Sequence, residues 1–164
     1  MLEERFPNPQ AQALFNKAME IFDLVDNIMD AAPEGVVGNL GEMLKAQVAA
    51  IRSDAMLIPI KISGAEGGSL YDLRMENATL VRKAARDLVV GLRGLEAFGY
   101  DAPDYFNLLR TEIEEFRKLF LAWVEGFDKS KYIVDDWGLF NPPGVKPGDE
   151  SPDLDPDGDE DGPF

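Results

Sequence analysis

The chain has 164 residues, with 31 acids against 16 bases, no cysteine and no histidine, for a formal charge of −15. That length suits one core with a tail; the missing residue types exclude disulfides, a thiolate nucleophile, an imidazole base and most zinc sites, so neither enzymatic activity nor a cofactor is expected. The charge opposes nucleic acid and anionic lipid, the charged start Met1-Leu2-Glu3-Glu4-Arg5-Phe6-Pro7 is unlike a signal peptide, and no long uncharged apolar run is present, so a cytoplasmic protein without membrane contact is expected.

Residues 9–30 carry Leu14, Phe15, Ala18, Ile21, Phe22, Val25, Ile28 and Met29 at spacings of three and four, one face of a helix stopped by Ala31-Ala32-Pro33-Glu34-Gly35. A second helix is predicted over 39–63, using Met43, Leu44, Val48, Ile51, Ala55, Met56, Ile58 and Ile62. Pro59 cannot donate to the Ala55 carbonyl, which predicts a kink or break between Met56 and Pro59. A strand over 56–62 competes locally through its β-branched isoleucines, but no partner strand is visible.

Ser63-Gly64-Ala65-Glu66-Gly67-Gly68-Ser69 reads as a turn, with Ser69 as N-cap of a third helix over 70–98 whose seam is Leu70, Leu73, Val81, Ala84, Leu88, Leu92 and Leu95, interrupted by Asn77. Gly99 suits the position after its end. The fourth helix follows Asp101 as N-cap and Pro103 in its first turn and runs to about residue 127, with Phe106, Leu109, Ile113, Phe116, Phe120, Trp123 and Phe127 on one face. Four amphipathic segments, short turns and no strands predict an all-α, up-and-down four-helix bundle over 1–130. A non-helical arm over 131–145 follows, and then a disordered acidic tail over 146–164 with eight acids against one base.

Several motifs invite a chemical reading. In the tail, Asp153-x-Asp155-x-Asp157-Gly158 copies the front of a calcium loop, but the twelfth position falls on Phe164 and Pro156 interrupts it, so a solvated tail is the better reading. The turn Gly64-x-x-Gly67-Gly68-Ser69 could offer N–H groups to an anion, but it lacks the Walker lysine and contains Glu66. Asp72, Glu76, Glu112 and Glu115 could build a carboxylate metal centre, the basis of a metal-enzyme alternative; acids at helical spacing are more simply a wet face. Arg82, Lys83, Arg86 and Arg93 make the third helix locally positive, and Arg82, Arg86 and Arg93 share a face that could meet an anion or nucleic acid. The simpler reading pairs them with Glu112, Glu114 and Glu115 of the fourth helix or with another protomer, and places Asp87 in a surface charge pair with Arg86.

In the arm, Tyr132, Ile133, Val134, Trp137, Leu139 and Phe140 are too apolar to stay in water, while Gly138 and Asn141-Pro142-Pro143-Gly144 forbid a helix. They should cap the bundle of their own protomer or, with Trp137, Leu139 and Phe140 as anchors, dock on a neighbour.

The stretch Ile58-Pro59-Ile60-Lys61-Ile62 followed by Ala65-Glu66-Gly67, a long helix and Phe98-Gly99-Tyr100 resembles the bacterial ribosomal-RNA intervening-sequence proteins and the accessory proteins of diversity-generating retroelements, over 43–124. Lys61 stands where that pattern has asparagine, Ser63-Gly64 is inserted, and the net basic character is reversed. The resemblance implies a helical bundle assembling into a ring, commonly a homopentamer, with nucleic-acid association in some members. Residues and resemblance together predict a non-enzymatic, self-associating interaction or adaptor subunit, with a protein partner as a further expectation. A nucleic-acid-associated accessory protein is the alternative.

Overall fold

The computed structural model describes residues 4–154. Its elements are α1 (Pro9–Asp30), α2 (Gly38–Glu66), α3 (Tyr71–Ala97) and α4 (Pro103–Glu125), with no strand among the described residues. The predicted all-α four-helix bundle is the fold found. Around it, α1 packs on both α2 and α4, α2 packs most extensively on α3, and α3 and α4 touch only sparsely.

α1 starts where the Asn8 side chain accepts the Gln10 N–H at 3.1 Å and proline occupies the first turn. Its inner stripe, Leu14, Ala18, Ile21, Val25, Ile28 and Met29, is buried. On the flank, Lys17 Nζ lies 2.8 Å from both Glu20 and Glu112 and 3.6 Å from Glu115, tying α1 to α4. Those hydrogen bonds, to Glu112 first, raise the lysine's pKa and hold it charged.

α2 departs from expectation in two places. The helix runs unbroken through Pro59, which is buried, and Ser63 Oγ donates to the Pro59 carbonyl at 2.9 Å. Packing of Ile51, Ala55, Ile58 and Ile62 into the core outweighs the one backbone bond that proline removes. The helix also runs on past Ser63 to absorb Gly64, Ala65 and Glu66, read from the sequence as turn. A Cβ on Gly64 would stand 3.1 Å from Asn77 Oδ1, so the glycine admits α3 rather than ending α2. Asn77, the polar break in the α3 seam, is half-buried there and donates to the Leu73 carbonyl. Met43 and Met56, placed on the apolar face, are exposed.

The α2–α3 contact is close for the same reason further along. A Cβ on Gly91 would lie 2.7 Å from Ile51 Cγ1, and one on Gly94 would lie 3.0 Å from Gln47 Cδ. α3 begins after Leu70, with no side-chain cap, so Ser69 does not hold the N-cap position. Its first amide, that of Tyr71, donates instead to the Lys131 carbonyl at 2.7 Å, a bond available only because the arm returns to this end. Tyr71 is buried and Leu73, expected in the seam, is exposed.

At its other end α3 closes in a Schellman turn: Tyr100 N–H donates to the Leu95 carbonyl and Gly99 N–H to that of Glu96, with Gly99 at φ +95°. Tyr100 then packs its ring edge-on against Phe106 at 5.2 Å and donates its hydroxyl to the Ile28 carbonyl at 2.7 Å. α4 takes Ala102 rather than Asp101 as N-cap, and it buries Phe106, Leu109, Ile113, Phe116 and Trp123.

Candidate interaction surface

The arm after α4 is a built structure. Asp135 is its pivot: one carboxylate oxygen accepts Trp137 N–H at 2.9 Å, and the other accepts Leu139 N–H at 2.8 Å and Phe140 N–H at 2.9 Å. Asn141 clasps the same residue from outside, accepting Asp135 N–H at 2.7 Å and donating to its carbonyl at 2.9 Å. Gly138 completes the turn at φ +74°. Hydrogen bonds from Phe140, Leu139 and Trp137 favour the ionised carboxylate, so the Asp135 pKa falls below its ordinary value.

The arm is anchored to the start of α3, where Ile133 N–H donates to Asp72 at 3.1 Å beside the Tyr71–Lys131 bond. Residues 146–151, assigned to the tail by composition, return to the arm: Gly148 N–H donates to Asp136 and Val134 N–H to Ser151 Oγ. Of the calcium-loop motif, Asp155, Asp157 and Gly158 lie outside the described residues.

The apolar side chains of the arm divide. Tyr132 and Phe140 are half-buried and Pro142 is buried, whereas Trp137 is 91% exposed and Leu139 75% exposed. The structure therefore separates the three predicted anchors, with Phe140 turned inward and Trp137 and Leu139 presented to solvent. Four carboxylates surround them, since Asp72, Glu76, Asp135 and Asp136 line the same concavity as Trp137 and Leu139.

A second surface lies where α3 and α4 diverge. It is a groove of about 570 Å³ with Ala85, Val89, Val90, Ile113, Phe116, Phe120 and Leu121 along its length and Arg82, Arg86, Arg93 and Arg117 around it, against one acid, Glu114. Val90 is 63% and Leu121 49% exposed. On its other side α3 is seated tightly on α2 through Gly91 and Gly94, while its contact with α4 is sparse.

The positive face read from the sequence borders this groove, with its charges in different states. Lys83 pairs with Asp87 at 2.5 Å, and that bond raises the lysine's pKa. Asp87 thus serves Lys83, not Arg86, and burial together with Asp87 raises the pKa of nearby Asp54. Arg117 holds Glu114 through Nε at 3.0 Å and Nη2 at 2.6 Å, lowering the glutamate's pKa. Glu112 and Glu115 are taken by Lys17. Among the described residues Arg82, Arg86 and Arg93 make no ion pair, so the expected pairing with α4 is not made. The four acids considered as a metal centre are likewise divided, Asp72 and Glu76 beside the arm and Glu112 and Glu115 beside Lys17.

Sequence reasoning passed over Val90, Leu121 and Arg117, and it placed Phe120 on the apolar face of α4 without a role in a surface. A signal was there: Val89-Val90 and Leu119-Phe120-Leu121 spread apolar side chains beyond one helical face, more than a closed bundle buries. No helix among the described residues is long and apolar enough to cross a membrane. No family model, curated protein or solved structure matches the chain, so its functional reading rests on these two surfaces.

Proposed function

We propose that the protein is a non-enzymatic interaction subunit that associates with itself. The observation that carries this reading is the exposure of Trp137 and Leu139 on an arm whose turn is closed by Asp135 and Asn141. A tryptophan held in water by a pre-formed turn loses little freedom on docking, and buried tryptophans dominate the energetics of many interfaces. Light scattering over a concentration series tests the reading: multiples of the 18.2 kDa chain mass are expected, and a stable monomer at high concentration would refute it.

A second reading, nucleic-acid association, draws on Arg82, Arg86 and Arg93, which have no ion-pair partner among the described residues. The apolar lining between α3 and α4 and the overall charge of −15 favour a protein ligand instead. Retention of RNA or DNA at about 50 mM salt, where phosphate contacts are strong, would support this second reading, and loss of retention would remove it.

A further inference from the structure

We infer that the arm of one copy docks in the α3–α4 groove of a second copy, Trp137 and Leu139 entering between Val90 and Leu121 while Asp135 and Asp136 meet Arg82, Arg86 and Arg93. The inference rests on the reading of the protein as self-associating and names the two surfaces that meet.

Complementarity is its first support. On a chain of −15 overall, the groove is a local reversal of sign, and three of its arginines make no ion pair among the described residues. The exposed apolar pair of the arm sits among four carboxylates. Apolar anchors ringed by acid therefore face an apolar channel ringed by base, which steers encounter and fixes orientation. Nucleic acid would satisfy the arginines but leave the lining of Val90, Phe120 and Leu121 wet.

Reach is the second. The arm is pinned to Asp72 at the start of α3 through Ile133, whereas Val90 lies eighteen residues further along, about 27 Å at the helical rise, beyond the roughly 21 Å that the six residues from Ile133 to Leu139 span when fully extended. To enter its own groove the arm would have to release Asp72 and the Tyr71 amide. A second copy offers the same groove with those bonds kept. Because the two surfaces differ, the contact is head-to-tail, and repeated it yields a closed ring or an open filament.

A complementation experiment decides the matter. The arm variant Trp137→Ala/Leu139→Ala and the groove variant Val90→Glu/Leu121→Glu alter exposed residues only, and circular dichroism verifies the fold of each. Each alone should be monomeric by light scattering, with self-affinity lowered about 30-fold or more. Their mixture should give a one-to-one heterodimer, because the intact arm of one meets the intact groove of the other and both remaining surfaces are dead. A wild-type oligomer that survives both variants would overturn the arm-groove contact and leave self-association standing. Loss of association in both variants without rescue on mixing would equally reject head-to-tail docking. A monomeric wild-type protein would remove self-association itself. Persistence of the arm variant as an oligomer that only Arg86→Glu/Arg93→Glu dissociates would assign the groove to another surface.

Discussion

The indole N–H of Trp123 donates to the Glu66 carboxylate at 2.8 Å, linking α4 to the last residue of α2 across the bundle. Trp123 is fully buried, Glu66 is nearly so, and Arg74 approaches the same carboxylate at 3.6 Å while lying over the Phe127 ring. Replacing Glu66 with alanine strands a buried donor. Glu66→Ala should cost about 1–3 kcal/mol in urea unfolding, and Glu66→Gln, which keeps an acceptor for the indole, should recover most of it.

Tyr100 closes another junction, its hydroxyl meeting the Ile28 carbonyl near the end of α1. Tyr100→Phe should lower stability by about 1–3 kcal/mol through the unpartnered carbonyl. Burial raises the phenol pKa above its ordinary value of 10.0. The protonated form is thus favoured in the folded state, so its contribution is complete below the unfolded pKa and fades as pH rises through the folded one. The gap between wild type and Tyr100→Phe in urea midpoint should narrow above about pH 10, where an unfolded tyrosine ionises.

The arm should respond to acid in the opposite sense. Asp135 ionises more readily in the folded protein because its carboxylate accepts three backbone N–H bonds, Phe140 foremost. Its contribution is present above the unfolded pKa, about 3.9, and is lost as pH falls through the lower folded value. Protection of the Trp137, Leu139 and Phe140 amides, measured against their intrinsic exchange rates, should fall below about pH 4. In Asp135→Ala their exchange should be fast at neutral pH, with core amides unaffected.

Gly91→Ala would place a methyl group 2.7 Å from Ile51 Cγ1. Overpacking of this kind costs about 1–3 kcal/mol. Ile51→Ala should relieve part of it, so the double variant should be less destabilised than the two single changes added. Thermal melts of the four proteins give the coupling directly.

How much of this was legible in the sequence follows the range of the interactions. α1 is legible to its terminal residues because the three-and-four spacing of its apolar side chains and the Ala31-to-Gly35 stop are local signals. The end of α2 was misread because Gly64 serves a neighbour, Asn77, that no local rule brings near. Arg82, Arg86 and Arg93 are legible as one face, yet their lack of ion-pair partners among the described residues depends on the sparse contact between α3 and α4, a tertiary relation that helical spacing does not specify. The arm was recognised as needing a partner surface. That Phe140 would turn in while Trp137 and Leu139 turn out depends on a single carboxylate gathering three amides, a geometry that spacing alone does not specify.

The clasp between the start of α3 and the segment after α4 also bears on synthesis. The amide of Tyr71 and the side chain of Asp72 find their partners in Lys131 and Ile133, the second 61 positions downstream. As the nascent chain leaves the ribosome, the first turn of α3 must wait for α4 to emerge before it is sealed. That end of α3 is therefore sealed only after the whole of α4 and the first residues of the arm have been made.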